Sequence, residues 1–409
     1  MNGWQRATIG HTCKVFSGGT PAKGNAAYWT GPVPWVSAKD LKSDRISDAE
    51  LHISQRACDE SAAKMAPVGS LLILVRGMGL ANGVAISEVT SPVAFNQDLR
   101  AILPPASVDP RFLLLALRHS LADGRKGVLS SAAHGTLKID ADTLRQVEFP
   151  LPSLPEQRRI VAILDEAFEG IATAKANAEK TLRNARDFVY TGYRSIAEGC
   201  TRSTWPTVTV AALAASHKGA MRTGPFGSQL LHSEFVDEGV AVLGIDNAVA
   251  NEFRWDRRRY ITAEKYRQLA RYRVLPGDVL ITIMGTCGRC AVVPDDVPLA
   301  INTKHLCCIT LDKQRCLPEF LHGYFLHDQR ARQYLDAQAK GSIMAGLNMG
   351  IISELPVLLP PLQQQAEIVD RFDNLRFECS RLARIQLEKM SALDELKKSL
   401  LHQAFTGAL

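Results

Sequence analysis

The chain repeats part of its sequence at an offset of about 206 to 208 residues, and this internal repeat constrains the fold more than any other feature. The clearest copies are LPEQRRIV at residues 154–161 and LQQQAEIV at residues 362–369. Weaker copies keep the same order and offset, as in GSLLILV at residues 69–75 and GDVLITI at residues 277–283. We therefore expect two structurally similar halves related by pseudo-twofold symmetry.

Each half ends in a stretch with the pattern of one long amphipathic helix, at residues 151–199 and 361–409. Apolar or small side chains recur there at intervals of three or four residues, as at Ile160 and Leu164. At ~1.5 Å per residue, helices of this length extend for roughly 60 Å. A long helix with one apolar seam needs a covering partner, so we expect the two helices to pair as an antiparallel coiled coil.

The residues expected in this pairing are the apolar side chains Leu164, Ile171, Phe188, Phe372, Leu375, Leu382, Leu393 and Leu400. Gly199 and Gly407 are expected to end the two helices, because glycine commonly caps a helix C-terminus. The alternative is that each helix packs only on its own domain, as most amphipathic helices of globular proteins do.

The remaining blocks, residues 1–150 and 200–360, have the pattern of mixed α/β domains. Aliphatic runs bounded by turn residues predict strands at residues 71–75, 240–243 and 279–283. Short helices are predicted near residues 111–119 and 319–327. The predicted fold class is α+β, with two globular mixed α/β domains separated by two long antiparallel coiled-coil helices. The predicted domain boundaries are 1–150, 151–199, 200–360 and 361–409.

The net charge of +6 is unevenly distributed along the chain. Each mixed block has a net charge of +3, whereas each helical block is neutral. A basic surface suits a polyanion such as nucleic acid, although this surplus is also ordinary for a globular domain of that size.

The number and spacing of the cysteines, together with the hydropathy of the chain, favour a reducing cellular compartment. Nine cysteines, an odd number without regular spacing, fit a reducing environment. The longest aliphatic run, residues 71–75, is too short to cross a bilayer, and residues 1–10 lack a signal-peptide pattern. We therefore expect a cytoplasmic protein.

Cys287 and Cys290 form a C-x-x-C pair without a second pair at zinc-ligand spacing, so we expect no metal site.

Longer motifs point to a family. The first block contains GGTP at residues 18–21, GPVPWVS at residues 31–37 and FNQDL at residues 95–99. The second contains TGPFGSQL at residues 223–230 and PGDVLIT at residues 276–282. Both helical blocks begin with versions of one Leu-Pro-Pro-Leu…Glu-Gln…Ile-Val entrance. Over nearly its whole length, the chain resembles the specificity subunits of type I restriction-modification systems.

This resemblance implies that each mixed block is a target-recognition domain that reads half of a bipartite DNA site, while the helical pair fixes the spacing. It implies two modification (methyltransferase) subunits and restriction (helicase-nuclease) subunits as partners. S-adenosylmethionine would bind the modification subunit, and ATP and Mg the restriction subunit. This chain is therefore expected to be non-catalytic and to bind no cofactor itself.

Candidate DNA contacts are polar, basic or glycine residues on loops and strand ends. Arginine can donate to phosphate or to guanine, and glycine permits close approach of a backbone. In the first block they are Gly19, Thr20, Lys23, Ser37, Lys39, Arg76 and Gln97. In the second block they are Arg222, Gly227, Gln229, Arg254, Arg257, Arg258, Arg289, Lys304 and His305. The alternative for residues 253–260 is a solvated charge run in which Trp255 and Tyr260 anchor the core.

Two other functions compete with this one. A self-contained DNA-modifying enzyme is disfavoured because the sequence contains neither an Asn-Pro-Pro-Tyr methylation motif nor a P-loop. An assembly scaffold or decoy that does not read bases would share every feature described so far.

Overall fold

The computed structural model describes residues 4–123, 128–131, 137–198, 204–340 and 347–409. Contacts within the chain define two compact units. The first unit comprises Met1–Ala178 and Glu388–Leu409, and the second comprises Glu179–Leu387. Each unit combines mixed sheets with helices, which confirms the α+β class. The domain boundaries predicted from sequence divide the chain differently and stay a prediction.

The first unit contains a five-stranded sheet, a four-stranded sheet and two short strand pairs. Its strands are Gln5–Thr8, Lys14–Ser17, Val33–Val36, Arg45–Ile46, Leu51–Ile53, Lys64–Ala66, Leu71–Leu74, Ile86–Val89, Val93–Phe95, Leu99–Leu103, Leu129–Ser131, Leu137–Ile139 and Glu148–Leu151. Its helices before the first long helix are Ile9–Thr12, Ala26–Tyr28, Gln55–Glu60, Met78–Asn82, Pro110–Asp123 and Ala141–Gln146.

The second unit contains two four-stranded sheets and one short strand pair. Its strands are Thr207–Thr209, Met221–Thr223, Val240–Leu243, Tyr260–Ile261, Arg273–Val274, Val279–Thr282, Cys290–Val292, Ala300–Asn302, Leu306–Ile309 and Pro356–Leu358. Its helices between the long ones are Val210–Leu213, Gly227–Gln229, His232–Glu234, Ile245–Asn247, Ala263–Leu269, Ala270–Tyr272, Pro318–His327, Gln329–Lys340 and Met349–Ser353.

Two helices of 45 residues each, Leu154–Glu198 and Leu362–Thr406, are the longest elements. One series of buried positions in the first of them recurs every seven residues, as expected of a coiled-coil seam. In the first helix the buried series is Gln157, Leu164, Ile171, Ala178, Ala185 and Gly192. In the second helix, Gly407 follows the last turn with a φ of 77°, a left-handed conformation that suits glycine. Gly199 lies outside the described residues.

The helices pair antiparallel within each unit. In the first unit, Lys175 Nζ lies 2.7 Å from Asp394 Oδ1, and the Lys397 ammonium lies 4.8 Å from the centroid of the Phe168 ring. In the second unit, a Cβ built on Gly192 would lie 2.2 Å from Leu375 Cδ2, so the Leu375 side chain packs directly on the backbone at Gly192. Each long helix also packs on the core of both units to which it contributes, so among the described residues the helices pair and pack on the domains at once, and exclusive packing on a domain is not observed.

The expected seam needs correction at two of its residues, Phe188 and Leu382. Leu164, Ile171 and Phe372 are buried, and Leu375, Leu393 and Leu400 are half-buried. Phe188 is 59% exposed, because the heptad passes through Ala185 and Val189 and leaves Phe188 beside the seam. Leu382 is exposed at the edge of the same seam.

A buried glutamine fixes the start of the first long helix to its domain. Gln157 Oε1 accepts a hydrogen bond from the Asp109 N–H at 2.8 Å. Its Nε2 donates to the carbonyls of Ser107 at 3.2 Å and Pro152 at 2.9 Å. The side chain thereby joins the helix entrance to the loop that precedes helix Pro110–Asp123.

The second unit repeats this arrangement 208 positions later in the chain. Gln365 Oε1 accepts from the Leu317 N–H, and its Nε2 donates to the carbonyls of Arg315 and Pro360, each at 2.8 Å. The sequence repeat is therefore also a repeat of individual hydrogen bonds.

Acid is expected to destabilise the second unit through His327. Its ring centroid lies 4.9 Å from that of Phe372 and 5.9 Å from that of Tyr193, and burial lowers the pKa of the imidazole to about 4. Because the unfolded chain takes up a proton near pH 6.5 and the folded unit does not, stability is highest above pH 6.5. It is lost as pH falls from there through about 4, by about 2–3 kcal/mol.

Urea unfolding at pH 7 and pH 4.5 tests this expectation. The variant His327→Phe keeps an aromatic ring and should lose less stability at pH 4.5 than the parent chain does. The matched control is His217→Phe, at an exposed position of the same unit, which should keep the parental pH dependence. An unchanged pH dependence in His327→Phe would contradict the assignment.

Candidate nucleic-acid interface

In the first unit, several loops meet at the carboxyl end of two neighbouring parallel strands. Strand Val33–Val36 pairs in parallel with strand Val93–Phe95, with Trp35 opposite Ala94. The carboxyl ends of parallel neighbours lie at one edge of a sheet, where the following loops come together. This edge is the place where the first unit can present several loops to one ligand.

At this edge, hydrogen bonds join the loop at residues 18–21 to the loop at residues 96–98 and to the ends of both parallel strands. The Gly19 N–H donates to the Phe95 carbonyl at 2.9 Å, and Trp35 Nε1 donates to the Gly19 carbonyl at 3.0 Å. Thr20 Oγ1 donates to Gln97 Oε1 at 2.5 Å. We call this group, residues 18–21, 37–42 and 96–98, the first loop cluster.

The second unit has an equivalent cluster, formed by residues 224–229, 244–249 and 303–305. Strand Val240–Leu243 pairs in parallel with strand Ala300–Asn302, and the Thr303 N–H donates to the Leu243 carbonyl at 2.8 Å. A Cβ built on Gly224 would lie 2.0 Å from the Asn302 carbonyl oxygen, so only glycine permits this approach. We call this group the second loop cluster.

The hairpins that follow strands Leu71–Leu74 and Val279–Thr282 lie beside the first and second loop clusters, respectively. In the first unit the Val75 N–H donates to the Asp98 carbonyl at 2.9 Å, which sets the exposed Arg76 beside the first loop cluster. In the second unit the Ile283 N–H donates to the His305 carbonyl at 2.9 Å. The exposed Arg289 lies on the hairpin that starts there.

Most of the predicted contact residues lie in or beside these clusters with accessible side chains. Exposed members are Lys23, Lys39, Arg76, Gln97, Gly227, Gln229, Arg254, Arg257, Arg258 and Arg289. Half-buried members are Thr20, Ser37, Lys304 and His305. Their contact with DNA stays a prediction.

Two of the predicted contacts are corrected by the structure. Arg222 is 8% exposed, and its guanidinium donates to Asp278 Oδ2 at 2.6 Å and to Thr310 Oγ1 at 3.0 Å. Gly19 is buried, and a Cβ there would lie 2.1 Å from the Ala62 carbonyl oxygen. Both residues build the framework of their unit, because their neighbours are protein atoms and leave no face for DNA.

The aromatic and arginine side chains of residues 253–260 in the second unit have different roles. Phe253 and Trp255 make an edge-to-face contact with ring centroids 5.3 Å apart, and both pack against a buried core cluster. Arg254 forms an ion pair with Glu252, while the Arg258 guanidinium lies 6.0 Å from the Trp255 ring centroid. The aromatic side chains therefore anchor the segment, and the arginines lie on its exposed side.

The structure adds two residues that the sequence did not single out, Asp246 and Arg259. Arg259 Nη2 donates to Oδ1 of Asp246, a residue of the second loop cluster; the Arg259 side chain is 27% exposed and that of Asp246 is 30% exposed. Burial, then the charges of Lys304 and Arg259, lower the pKa of His305, so the imidazole is neutral at pH 7. Arg259 belongs to the run at 253–260, but its sequence context does not distinguish it from its neighbours.

The described residues include neither a metal-binding cluster nor a membrane-spanning helix. No group of three or more His, Cys, Asp or Glu side chains among them could hold a metal ion. Burial raises the pKa of the Cys290 thiol well above its usual range, so this cysteine stays protonated at neutral pH. No helix in the described ranges combines the length and apolarity needed to cross a membrane.

Comparison with known proteins adds independent findings. The sequence model of the family described as "Type I restriction modification DNA specificity domain" matches residues 1–182 and 254–389, together more than half of the chain. The Escherichia coli type I restriction enzyme EcoR124I/EcoR124II specificity subunit is 30% identical over 39% of this chain and 39% of its own length. The chain thus spans about two fifths of that relative, and a similar share, 37%, of the MjaIX specificity subunit of Methanocaldococcus jannaschii.

Other similarities cover the whole chain. The StySPI specificity subunit of Salmonella potsdam is 20% identical over 100% of this chain and 89% of its own length. The HsdS subunit from Thermoanaerobacter tengcongensis superposes with a TM-score of 0.64 at 18% identity, covering 100% of this chain and 98% of that one. A chain from a structure on "complex assembly and conformational transition of the type I R-M system" gives a TM-score of 0.74 at 19% identity, with 100% and 99% covered. These structures share the fold, and with the family match they show that the chain belongs to the type I restriction-modification DNA specificity family.

Proposed function

We propose that this chain is the DNA sequence-specificity subunit of a type I restriction-modification complex, and that each unit reads one half of a bipartite site through its loop cluster. The observation that carries the proposal is the repetition of one loop framework at the carboxyl edge of a parallel strand pair in both units. The polar and basic residues around each framework suit contacts to phosphates and base edges. The basic surplus of the two mixed blocks supports the same assignment.

The proposal leaves the chemistry to partner subunits. Two modification subunits would carry S-adenosylmethionine and methylate the site, and restriction subunits would use ATP and Mg to translocate and cleave DNA. This chain would be non-catalytic, would bind no cofactor, and would recognise the DNA sequence at which the partner subunits act. Such a role is exercised in the cytoplasm, where cellular and incoming DNA are both accessible.

An exchange experiment tests this proposal. The chain is purified with its modification subunits, methylated positions are mapped on random-sequence duplexes, and residues 200–360 are then exchanged for those of another family member. We expect the parent to select one bipartite site and the exchange to alter one half-site alone. A change in both half-sites would refute modular reading.

The same experiment separates the competing functions. An assembly scaffold would bind the modification subunits but select no site. A self-contained enzyme would methylate DNA without them. Either result would overturn the proposal.

A further inference from the structure

The two loop clusters share a backbone framework, so their equivalent positions can be compared one by one. In the first unit Leu51 lies opposite Trp35 on the antiparallel side of the central strand. In the second unit Arg259 holds the same place, because its carbonyl accepts a hydrogen bond from the Val242 N–H at 2.9 Å. A shared framework therefore presents an apolar side chain in one unit and a guanidinium in the other.

The turn after the central strand is also the same in both units. The N–H of its first residue donates to the side chain of its fourth residue, at 2.8 Å in the first unit and 2.9 Å in the second. The third residue of this turn is Lys39 in the first unit and Asp246 in the second. Arg259 of the second unit is thus equivalent to Leu51 of the first, and Asp246 is equivalent to Lys39. Where the first unit has an apolar and a cationic side chain, the second unit has an ion pair.

The second unit provides a prepared place for this ion pair. A Cβ built on Gly244 would lie 2.4 Å from Arg259 Nη2, so the guanidinium in this position packs directly over the Gly244 backbone. One oxygen of Asp246 accepts from this guanidinium. Among the described residues, two buried atoms of this pair, Asp246 Oδ2 and Arg259 Nε, have no hydrogen-bond partner, so the terminal Nη groups of Arg259 are the ones left to donate outward. The hydrogen bond to the Asp246 carboxylate limits the rotation of the planar Arg259 guanidinium and thereby orients the Nη N–H groups that Asp246 does not accept.

We propose that Arg259, oriented by Asp246, reads a guanine in the half-site recognised by the second unit. This inference rests on the proposed function and names one base contact within it. The arginine fork donates to guanine O6 and N7 in the major groove, which is the commonest specific contact between a side chain and a base. Leu51 cannot donate, so the equivalent position of the first unit does not read guanine in this way.

Three substitutions in the complex with modification subunits test the inference. Arg259→Ala is expected to lower discrimination at one base pair of one half-site by roughly 10- to 100-fold. Arg259→Lys keeps the charge but not the fork, and should also lose preference for guanine at that base pair. Asp246→Ala should relax the same base pair by a smaller factor, because Asp246 positions the reading residue without touching the base.

Arg267→Ala is the matched control. Arg267 lies on helix Ala263–Leu269 of the same unit, is 73% exposed and pairs with Glu264. The control should keep the parental methylation motif. The other half-site serves as an internal test of folding and assembly, since it should stay unchanged in every variant.

The possible outcomes separate the two proposals. If the parent complex methylates no defined site, the proposed function fails, and this inference fails with it. If the parent selects a site and Arg259→Ala keeps the whole motif, or relaxes both half-sites together, the assignment of Arg259 is wrong while the proposed function stands.

Discussion

Replacing Asp278 with alanine is expected to destabilise the second unit by about 3–5 kcal/mol. The carboxylate is 1% exposed and accepts hydrogen bonds from Arg222 Nη2 at 2.6 Å, from Thr310 Oγ1 at 2.6 Å and from the Leu275 N–H at 2.9 Å. Its removal leaves the Arg222 guanidinium charged and buried without its partner. Loss of one member of a buried ion pair is among the most destabilising single changes in a protein.

Hydrogen exchange in strand Val279–Thr282 is a suitable measurement, because a chain with two units need not unfold in one step. Asp296→Ala, at an exposed turn of the same unit, is the control and should change stability by less than about 0.5 kcal/mol. The double variant Arg222→Met, Asp278→Leu should be more stable than Asp278→Ala, since it leaves no unpaired charge. A double variant that is no better than the single one would contradict this account.

Replacing Gln365 with leucine is expected to destabilise the second unit by roughly 3–5 kcal/mol. Leucine fills much of the volume but leaves the Leu317 N–H and the Arg315 and Pro360 carbonyls without their present partner. Each buried group left unpaired costs about 1–3 kcal/mol.

The repeat supplies a second instance of this test. Gln157→Leu should have a similar effect in the first unit, because it orphans the equivalent three backbone groups. Gln363→Ala, which changes an exposed side chain two residues away, is the control. Unit-specific hydrogen exchange measures all three variants, and a loss below about 1 kcal/mol in Gln365→Leu would show that its hydrogen bonds are replaced by others.

Elements with strong local signals could be predicted from the sequence. Strand Val240–Leu243 was predicted with its observed bounds, because a short aliphatic run ends at Gly244. Helix Leu154–Glu198 was predicted within a few residues, because its apolar period is sustained over many turns. These signals depend on neighbouring residues alone.

Predictions that depend on distant partners were less successful. Arg222 was interpreted as a DNA contact because its partner Asp278 is 56 residues away and nothing in the local sequence links them. Phe188 was placed in the helical seam because a three-four step does not say which of two adjacent apolar residues faces the partner. The joining of Thr20 to Gln97 across 77 residues likewise follows from sheet register, which the sequence alone does not provide.

The first unit is built from two segments that lie far apart in the sequence, and this has a consequence for its folding during synthesis. Phe405 lies near the end of the second long helix, yet it packs against Phe112, with ring centroids 5.5 Å apart, and stacks on His119. Arg159 donates to the Leu409 carbonyl across 250 residues. During translation, the nascent first unit therefore keeps an uncovered apolar surface until the ribosome has produced the whole second unit. The unit that starts first is completed last, and its exposure to chaperones and proteases lasts as long as synthesis of the segment between its two parts.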